Sequence, residues 1–186
     1  MKILETERLI LRTWEDSDLQ KMFEINQDPQ VMEYFPSLQD LKTTKKLVER
    51  INNHFDKYGY TVYACERKDT SEFIGFIGLF TPEFDAQFTP ATEIGWRLSS
   101  KHWGLGFATE GAKAVLNYAF NDLKIPEIVS FTAMNNLKSI NVMKKIGLHH
   151  NKKDDFDHPK LDVSSNLRRH VLYRLRYNEF INILQK

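Results

Sequence analysis

The stretch SKHWGLGFATEGAKAVLNYAF, residues 100–120, places Gly104 and Gly106 directly before a run that reads as an amphipathic helix. Glycine is poor helix material and good loop material. A bare backbone at a helix start suits an anion. The first amides of a helix have no intrahelical partner, and the dipole adds about half a positive charge there. Strand, Gly-x-Gly, helix is therefore a plausible diphosphate cradle. A tight strand-to-helix turn with no ligand accounts for the same residues equally well. The turn is not a Walker loop, because no Gly-Lys-Ser/Thr follows. It also lacks the third glycine of a dinucleotide fingerprint. Further on, NNLKSINVMKKIGL (135–148) opens a short helix at Asn136 and Ser139 and closes it at Lys144, Lys145 and Gly147. The polar stretch after it gathers His149, His150, His158 and His170 with Asp154, Asp155 and Asp157. No spacing there matches a zinc pattern, so no metal is expected. An acceptor-binding loop and a plain solvated loop both account for it.

These residues need elements to hold them. RLILRT (8–13) alternates as a first strand, and WEDSDLQKMFEIN follows as a helix with Asp16 or Ser17 as cap. Residues 40–59 repeat apolar side chains at helical spacing (Leu47, Val48, Ile51, Phe55), with Gly59 placed to end the helix. YTVYACERK and EFIGFIGLF read as a hairpin across the turn DTS, and TEIGWRLS (92–99) as a strand leading into the glycine turn. Then come EIVSFTAM as a strand, the short helix at 136–147, a strand end at LHH leading into a long polar loop, HVLYRLRY as a last strand and NEFINIL as a terminal helix. Helices between consecutive strands in the second half predict parallel pairing there; the middle is antiparallel. The expected fold is α/β in the mixed α+β sense. It is one domain over residues 1–186, with a central, mostly antiparallel sheet and helices on both faces.

The 186 residues fit one domain, with 26 basic against 25 acidic side chains and a net charge of +1. No global field calls for nucleic acid or a membrane surface. No segment approaches the ~18 consecutive apolar residues of a membrane span. The one cysteine, Cys65, lies in a strand-like run and reads as a core thiol. A cytoplasmic location and a monomer or homodimer are the expectations.

Four motifs, spread over roughly residues 5 to 175, carry a family resemblance. They are Thr6-Glu7-Arg8-Leu9-Ile10-Leu11-Arg12, Glu93-Ile94-Gly95-Trp96, Trp103-Gly104-Leu105-Gly106-Phe107-Ala108-Thr109-Glu110, and Asn136-Leu137-Lys138-Ser139 through Lys145-Ile146-Gly147-Leu148. The chain resembles the GNAT superfamily of N-acetyltransferases, in the branch typified by the RimJ/RimL ribosomal-protein N-terminal acetyltransferases. The resemblance implies acetyl-CoA as cosubstrate. It implies diphosphate binding by the amides of Leu105, Gly106, Phe107, Ala108 and Thr109, with Trp103 and Gly104 opening the turn. It also implies that the strand carrying Trp96, Arg97 and Leu98 pairs with the pantetheine arm and polarises the thioester by a backbone amide. Asn136 would hold the pantetheine region.

The family's usual tyrosine acid falls on Met143, which leaves the proton donor open between Ser139 and Tyr173. Glu93 is the candidate base, since residues 93, 95 and 97 share a face. Glu110 reads as a structural carboxylate that suits the helix dipole. Tyr34 and Phe35, with Phe23 and Met32, are candidates for one acceptor wall, and His158 with Asp157 for another. An α-amine (pKa ~7.7–8.0) is neutral about one time in ten at pH 7, and a lysine amine about once in a few thousand, so a protein N-terminus needs only a mild base. The first reading is transfer to such an N-terminus, ribosomal or other. A polyamine, antibiotic or amino-acid acceptor is the second. An acyl-CoA-binding domain without catalysis is the third.

Overall fold

The alternation of RLILRT folds as β2 (Leu9–Arg12), and β1 (Lys2–Glu5) pairs antiparallel with it. The computed structural model describes residues 1–184 and separates the chain into two compact units. The first unit holds Met1–Phe80 and Gly95–Val115, and the second holds Thr81–Ile94 and the chain from Leu116 onward.

In the first unit, β2 pairs antiparallel with β3 (Val62–Arg67), which pairs antiparallel with β4 (Phe73–Phe80), as the hairpin signal predicts. Helix α1 (Asp18–Asn26) follows β2. Its start differs from expectation: Ser17 makes no side-chain cap, and Asp16 is not the capping group. Asp18, fully buried, accepts from the Glu15 amide and takes a two-pronged bond from Arg12 at 2.7 and 2.9 Å. Helix α2 (Leu41–Tyr58) is capped by Asp40, which accepts from the Thr43 amide, and ends on Gly59 at φ +75°. Its inward face carries Ile51 with the buried polar pair Thr44 and His54. Thr44 Oγ1 accepts from Asn26, and the His54 ring bonds the Tyr60 carbonyl. Cys65 is fully buried and its thiol is pushed up by burial, the core role expected of it.

Strand β5 (Thr92–Leu98) runs through both units, as does helix α3 (Phe107–Asn121). In the second unit, β5 pairs parallel with β6 (Glu127–Ala133) at Thr92–Ile128 and Glu93–Val129. After helix α4 (Leu137–Lys145) come the short strands β7 (His149–His150) and β8 (Phe156–Asp157), then β9 (Arg169–Arg176) and helix α5 (Tyr177–Leu184). Strand β9 lies antiparallel to β6 along its whole length, and β7 and β8 also pair with β9. The expected parallel pairing thus stops at β5–β6. The last strand takes the place beside β6, so β6 and β7 never become neighbours. The strand end expected at the start of the polar stretch is β7, and the loop expected after it supplies one further strand, β8. The fold class is the expected one, mixed α/β with a mostly antiparallel sheet. No described helix is long and apolar enough to cross a membrane.

Candidate active site

The glycine turn is built for its task inside the first unit. Gly104 and Gly106 both sit in the left-handed region, at φ +77° and +86°, where a side chain would be strained. A Cβ at Gly104 would meet nothing within 4 Å, so the turn is open above that residue. The first intrahelical bond of α3 runs from Glu110 N–H to the Gly106 carbonyl. Among the described residues, no protein acceptor takes the amides of Phe107, Ala108 and Thr109. These donors, at the positive end of a helix 15 residues long, fit a diphosphate. The Trp103 indole donates to the Leu98 carbonyl at 2.9 Å and packs against the core, so it fastens the turn to the end of β5.

The first motif holds the same turn from the other side. Glu110 accepts from Thr6 Oγ1 (2.6 Å), the Arg8 amide (2.9 Å) and Arg8 Nε (2.6 Å). Arg8 Nη1 then donates to the Leu105 carbonyl at 3.0 Å, and its guanidinium lies 4.6 Å from the Phe107 ring centre. Burial pushes the Glu110 carboxyl up, but its bonds from Thr6 and Arg8 outweigh this and hold it below the usual carboxylate range. Glu110 is structural, as read, though its work is to anchor Arg8 rather than only to suit the dipole.

The second unit carries the candidate acid and base residues. Glu93 is half-buried and registers with Val129, which registers with Arg174. Tyr173 registers with Ser130 and stacks on His150 at 5.0 Å. Directly opposed residues share a face and successive residues alternate. Glu93 and Tyr173 therefore point to opposite faces of the sheet and do not converge. Tyr173 is 5% exposed, and burial, then Asp155, push its phenol up. Asn136 caps α4: its side chain accepts from the Ser139 amide at 3.2 Å and donates to Thr132 at 2.9 Å. The Ser139 side chain is half-buried, and among the described residues its hydroxyl has no partner. Met143 is 1% exposed, so the position of the family's usual tyrosine is filled by core packing.

Residues 8–149 match the family model described as an acetyltransferase (GNAT) domain. The chain belongs to the GNAT acetyltransferase family. Its relatives agree. It is 35% identical over 150 residues to the uncharacterized protein YkkB of Bacillus subtilis (strain 168), covering 80% of this chain and 86% of that one. It is 32% identical to the uncharacterized N-acetyltransferase YoaA of the same organism, covering 78% and 81%. The crystal structure of an acetyltransferase from Agrobacterium tumefaciens str. C58 superposes with a TM-score of 0.76 at 28% identity, covering 95% of each chain. The class of this GNAT chain is acyltransferase, with acetyl-CoA as the family's donor.

The remaining expected positions fall as follows in this acetyltransferase. Tyr34 is half-buried, and Phe35, 36% exposed, lies over the Arg97 guanidinium at 4.2 Å. Arg97, on the face shared by residues 93, 95 and 97, is buried and bonded to Asn26 and Gln39. Segment 27–39, between α1 and α2, covers it. Asp28 bonds the Ser100 hydroxyl, which ties that segment to the turn after β5. Trp96 is half-buried and Leu98 buried.

His158 sits in an aromatic wall that the sequence did not reveal. Phe84, Phe88, Phe131 and Phe156, all half-buried, surround it with His170; Phe84 is 4.7 Å and His170 5.0 Å from its ring centre. Burial, then His170 and Lys160, push His158 down to about 4, so it is neutral at pH 7 and too weak a base to serve an amine. Its Nδ1 accepts from the Lys160 amide. No signal in the sequence joins Phe84 and Phe88, in a proline-flanked loop, to Phe131 and Phe156. Side chains nearby already have partners: His150 is hydrogen-bonded to Asp155, and Asp154 pairs with Arg174 and Asp157 with Arg169. Among the described residues no group of three or more such side chains is placed to hold a metal.

Proposed function

We propose that this chain is a RimJ/RimL-like N-acetyltransferase that moves an acetyl group from acetyl-CoA directly to a primary amine, an α-amine at a protein N-terminus first of all. The observation that carries the reading is the glycine turn: two left-handed glycines, uncapped amides at the start of α3, and a turn fixed by Arg8 and Trp103. The cosubstrate supplies an activated thioester. The amides of residues 105–109 hold its diphosphate, and the backbone of Trp96, Arg97 and Leu98 aligns its arm. A backbone dipole of that strand stabilises charge that develops on the acyl oxygen. Asn136 orders the first turn of α4 and so sets Ser139.

Glu93 takes the proton of the attacking amine, directly or through water. The Ser139 hydroxyl, which has no partner among the described residues, hands a proton to the departing thiolate and regains one from solvent. Tyr173, on the other face from Glu93, is left out of this pair. Tyr34 and Phe35 of the first unit, and separately the aromatic wall around His158 of the second, are the candidates for contact with the acceptor. The one cysteine is buried, which speaks against an acyl-enzyme on sulfur and supports direct transfer. The chain acts as a single domain over residues 1–186, cytoplasmic, as monomer or homodimer.

The test is a panel of N-terminal peptides, polyamines, aminoglycosides and amino acids, each incubated with acetyl-CoA and enzyme and analysed by mass spectrometry. Acetylation at the α-amine of peptides is the expected result. Acetyl-CoA binding with no acetylated product on any amine would overturn the catalytic reading.

A further inference from the structure

In the first unit Arg97 is buried and Arg12 is partly buried, and the two are treated in opposite ways. Arg12 has its counterions: Asp18 on both Nη atoms and Glu66 on Nε at 3.0 Å. Arg97, 9% exposed, has none among the described residues. Its Nη1 donates to two neutral amide oxygens, Asn26 Oδ1 at 2.7 Å and Gln39 Oε1 at 3.3 Å. Its Nε is out of solvent and, among the described residues, has no partner. Phenyl rings of Phe35 and Phe76 lie 4.2 and 5.4 Å from the guanidinium carbon. The charge that acts on it most is another cation, Arg50, which together with burial pushes it down to about 10.

An isolated cation in such a place is costly, and proteins rarely hold one without an anion. A clamp between Asn26 and Gln39 does not need a charge: a glutamine or a methionine would fill the space without that cost. An arginine kept with an unused N–H is a site waiting for an anion from outside the fold. The planar fork matches a carboxylate, which can take Nε and an Nη together. Flat rings against the guanidinium suit a planar acid better than a tetrahedral phosphate. The Arg97 side chain meets Asn26, Gln39, Phe35 and Phe76, whereas the diphosphate turn is held by Arg8, just before β2, by Glu110 and, through Trp103, by the Leu98 carbonyl of β5. The two sets share no side chain, so the anion sought here is not the coenzyme's diphosphate. The cover is Phe35, itself partly exposed, so the way in is past one side chain.

We propose that Arg97 receives a carboxylate of the acceptor, so that the amines this enzyme acetylates carry an acid group close to the reacting nitrogen. The proposal rests on the acetyltransferase reading and narrows its acceptor. The acid is either the α-carboxylate of an amino acid or an Asp or Glu side chain at a peptide N-terminus, and polycations are poor acceptors.

The experiment uses matched pairs that differ only in the acid: amino acids against their amides, and Ser-Glu peptides against Ser-Gln peptides. kcat/KM is measured for wild type, Arg97→Gln and Arg97→Lys, with acetyl-CoA affinity confirming that each variant is folded. The acid member of a pair should be preferred by about 100-fold or more, because its absence leaves a buried donor unpaired. Arg97→Gln should erase the preference through KM, and Arg97→Lys should keep part of it. The pair that shows the preference names the source of the acid. In parallel, the Arg97 Nε–H resonance, assigned by its loss in Arg97→Gln, should shift on titration with an N-acetylated amino acid but not with its amide or with coenzyme A. Equal rates on acid and amide, a preference that survives Arg97→Gln, or an Nε signal that moves only with coenzyme A would overturn the proposal. These outcomes leave the transferase reading standing if any amine is acetylated. If acetyl-CoA does not bind at all, that reading falls, and the resonance alone decides the acid site.

Discussion

Replacing Glu110 with glutamine tests whether the first motif organises the coenzyme turn. Glutamine keeps the shape and one carbonyl, so Thr6 and the Arg8 amide still find an acceptor. The other side-chain atom becomes a donor facing Arg8 Nε, now 2.6 Å from Glu110 Oε2. Charge-assisted bonds contribute about 1.5–3 kcal/mol and neutral ones about 1, so two weakened bonds lose about 1 kcal/mol together. The Arg8 ion pair adds less than its geometry suggests, because Arg8 is 45% exposed and screened. A total near 2 kcal/mol corresponds to a fall in Tm of roughly 4–8 °C for a chain of this size. With Arg8 loosened, its bond to the Leu105 carbonyl is lost, and acetyl-CoA affinity should fall about tenfold, or about 1.4 kcal/mol. Thermal unfolding and calorimetric titration read the two effects. The sign with pH follows from the depressed carboxyl. The contribution is present above the unfolded value of ~4.3 and disappears as pH falls through the lower folded value, so wild type and variant converge in acid. A control, Glu5→Gln at the exposed pair with Lys68, should leave affinity unchanged. A variant that loses the stability but binds acetyl-CoA within twofold of wild type would refute the reasoning: Arg8 and Glu110 would then be a staple and no more.

Other outcomes follow from the same geometry. Arg12→Met should cost about 3–5 kcal/mol by leaving Asp18 buried without its partner, and adding Asp18→Leu should recover much of it; denaturant melts decide. Glu93→Gln should lower kcat by about 10²–10⁴ with acetyl-CoA affinity unchanged, and Ser139→Ala should lower kcat in the same assay; either variant at full rate removes that residue from the mechanism. His158 is neutral when folded and near 6.5 when unfolded, so the unfolded state binds the extra proton between about pH 6.5 and 4. Stability should fall with pH through that window and level off below it, and His158→Phe should flatten the Tm profile there.

Much of the frame was legible because it depends on local pattern. The hairpin of β3 and β4, the Gly59 stop and the strand–glycine–helix passage need only alternation, helical spacing and residues that accept positive φ. Three features depend on neighbours in space and were not legible. Alternation along β5 says that Arg97 faces away from Ile94, but not that segment 27–39 covers that face. Glu93 and Tyr173 each read as plausible acid–base residues, yet their opposition depends on a register that runs through β6 and no single strand displays. His158 read as an acceptor residue because it lies in a polar stretch; that phenylalanines from three separate segments gather around it, and that burial weakens it as a base, shows only in space. The cap of α1 failed for a related reason: Asp18 serves Arg12 as well as the helix start, and the arginine lies outside the local window.

Direct acetyl transfer to an amine is tested most simply by following free thiol from acetyl-CoA with and without the acceptor. The expected result is no thiol release and no gain in protein mass with acetyl-CoA alone, then release matched one to one by acetylated amine when the acceptor is added. Release without amine accompanied by an acetylated protein, or tight acetyl-CoA binding with no amine-dependent release, would contradict it.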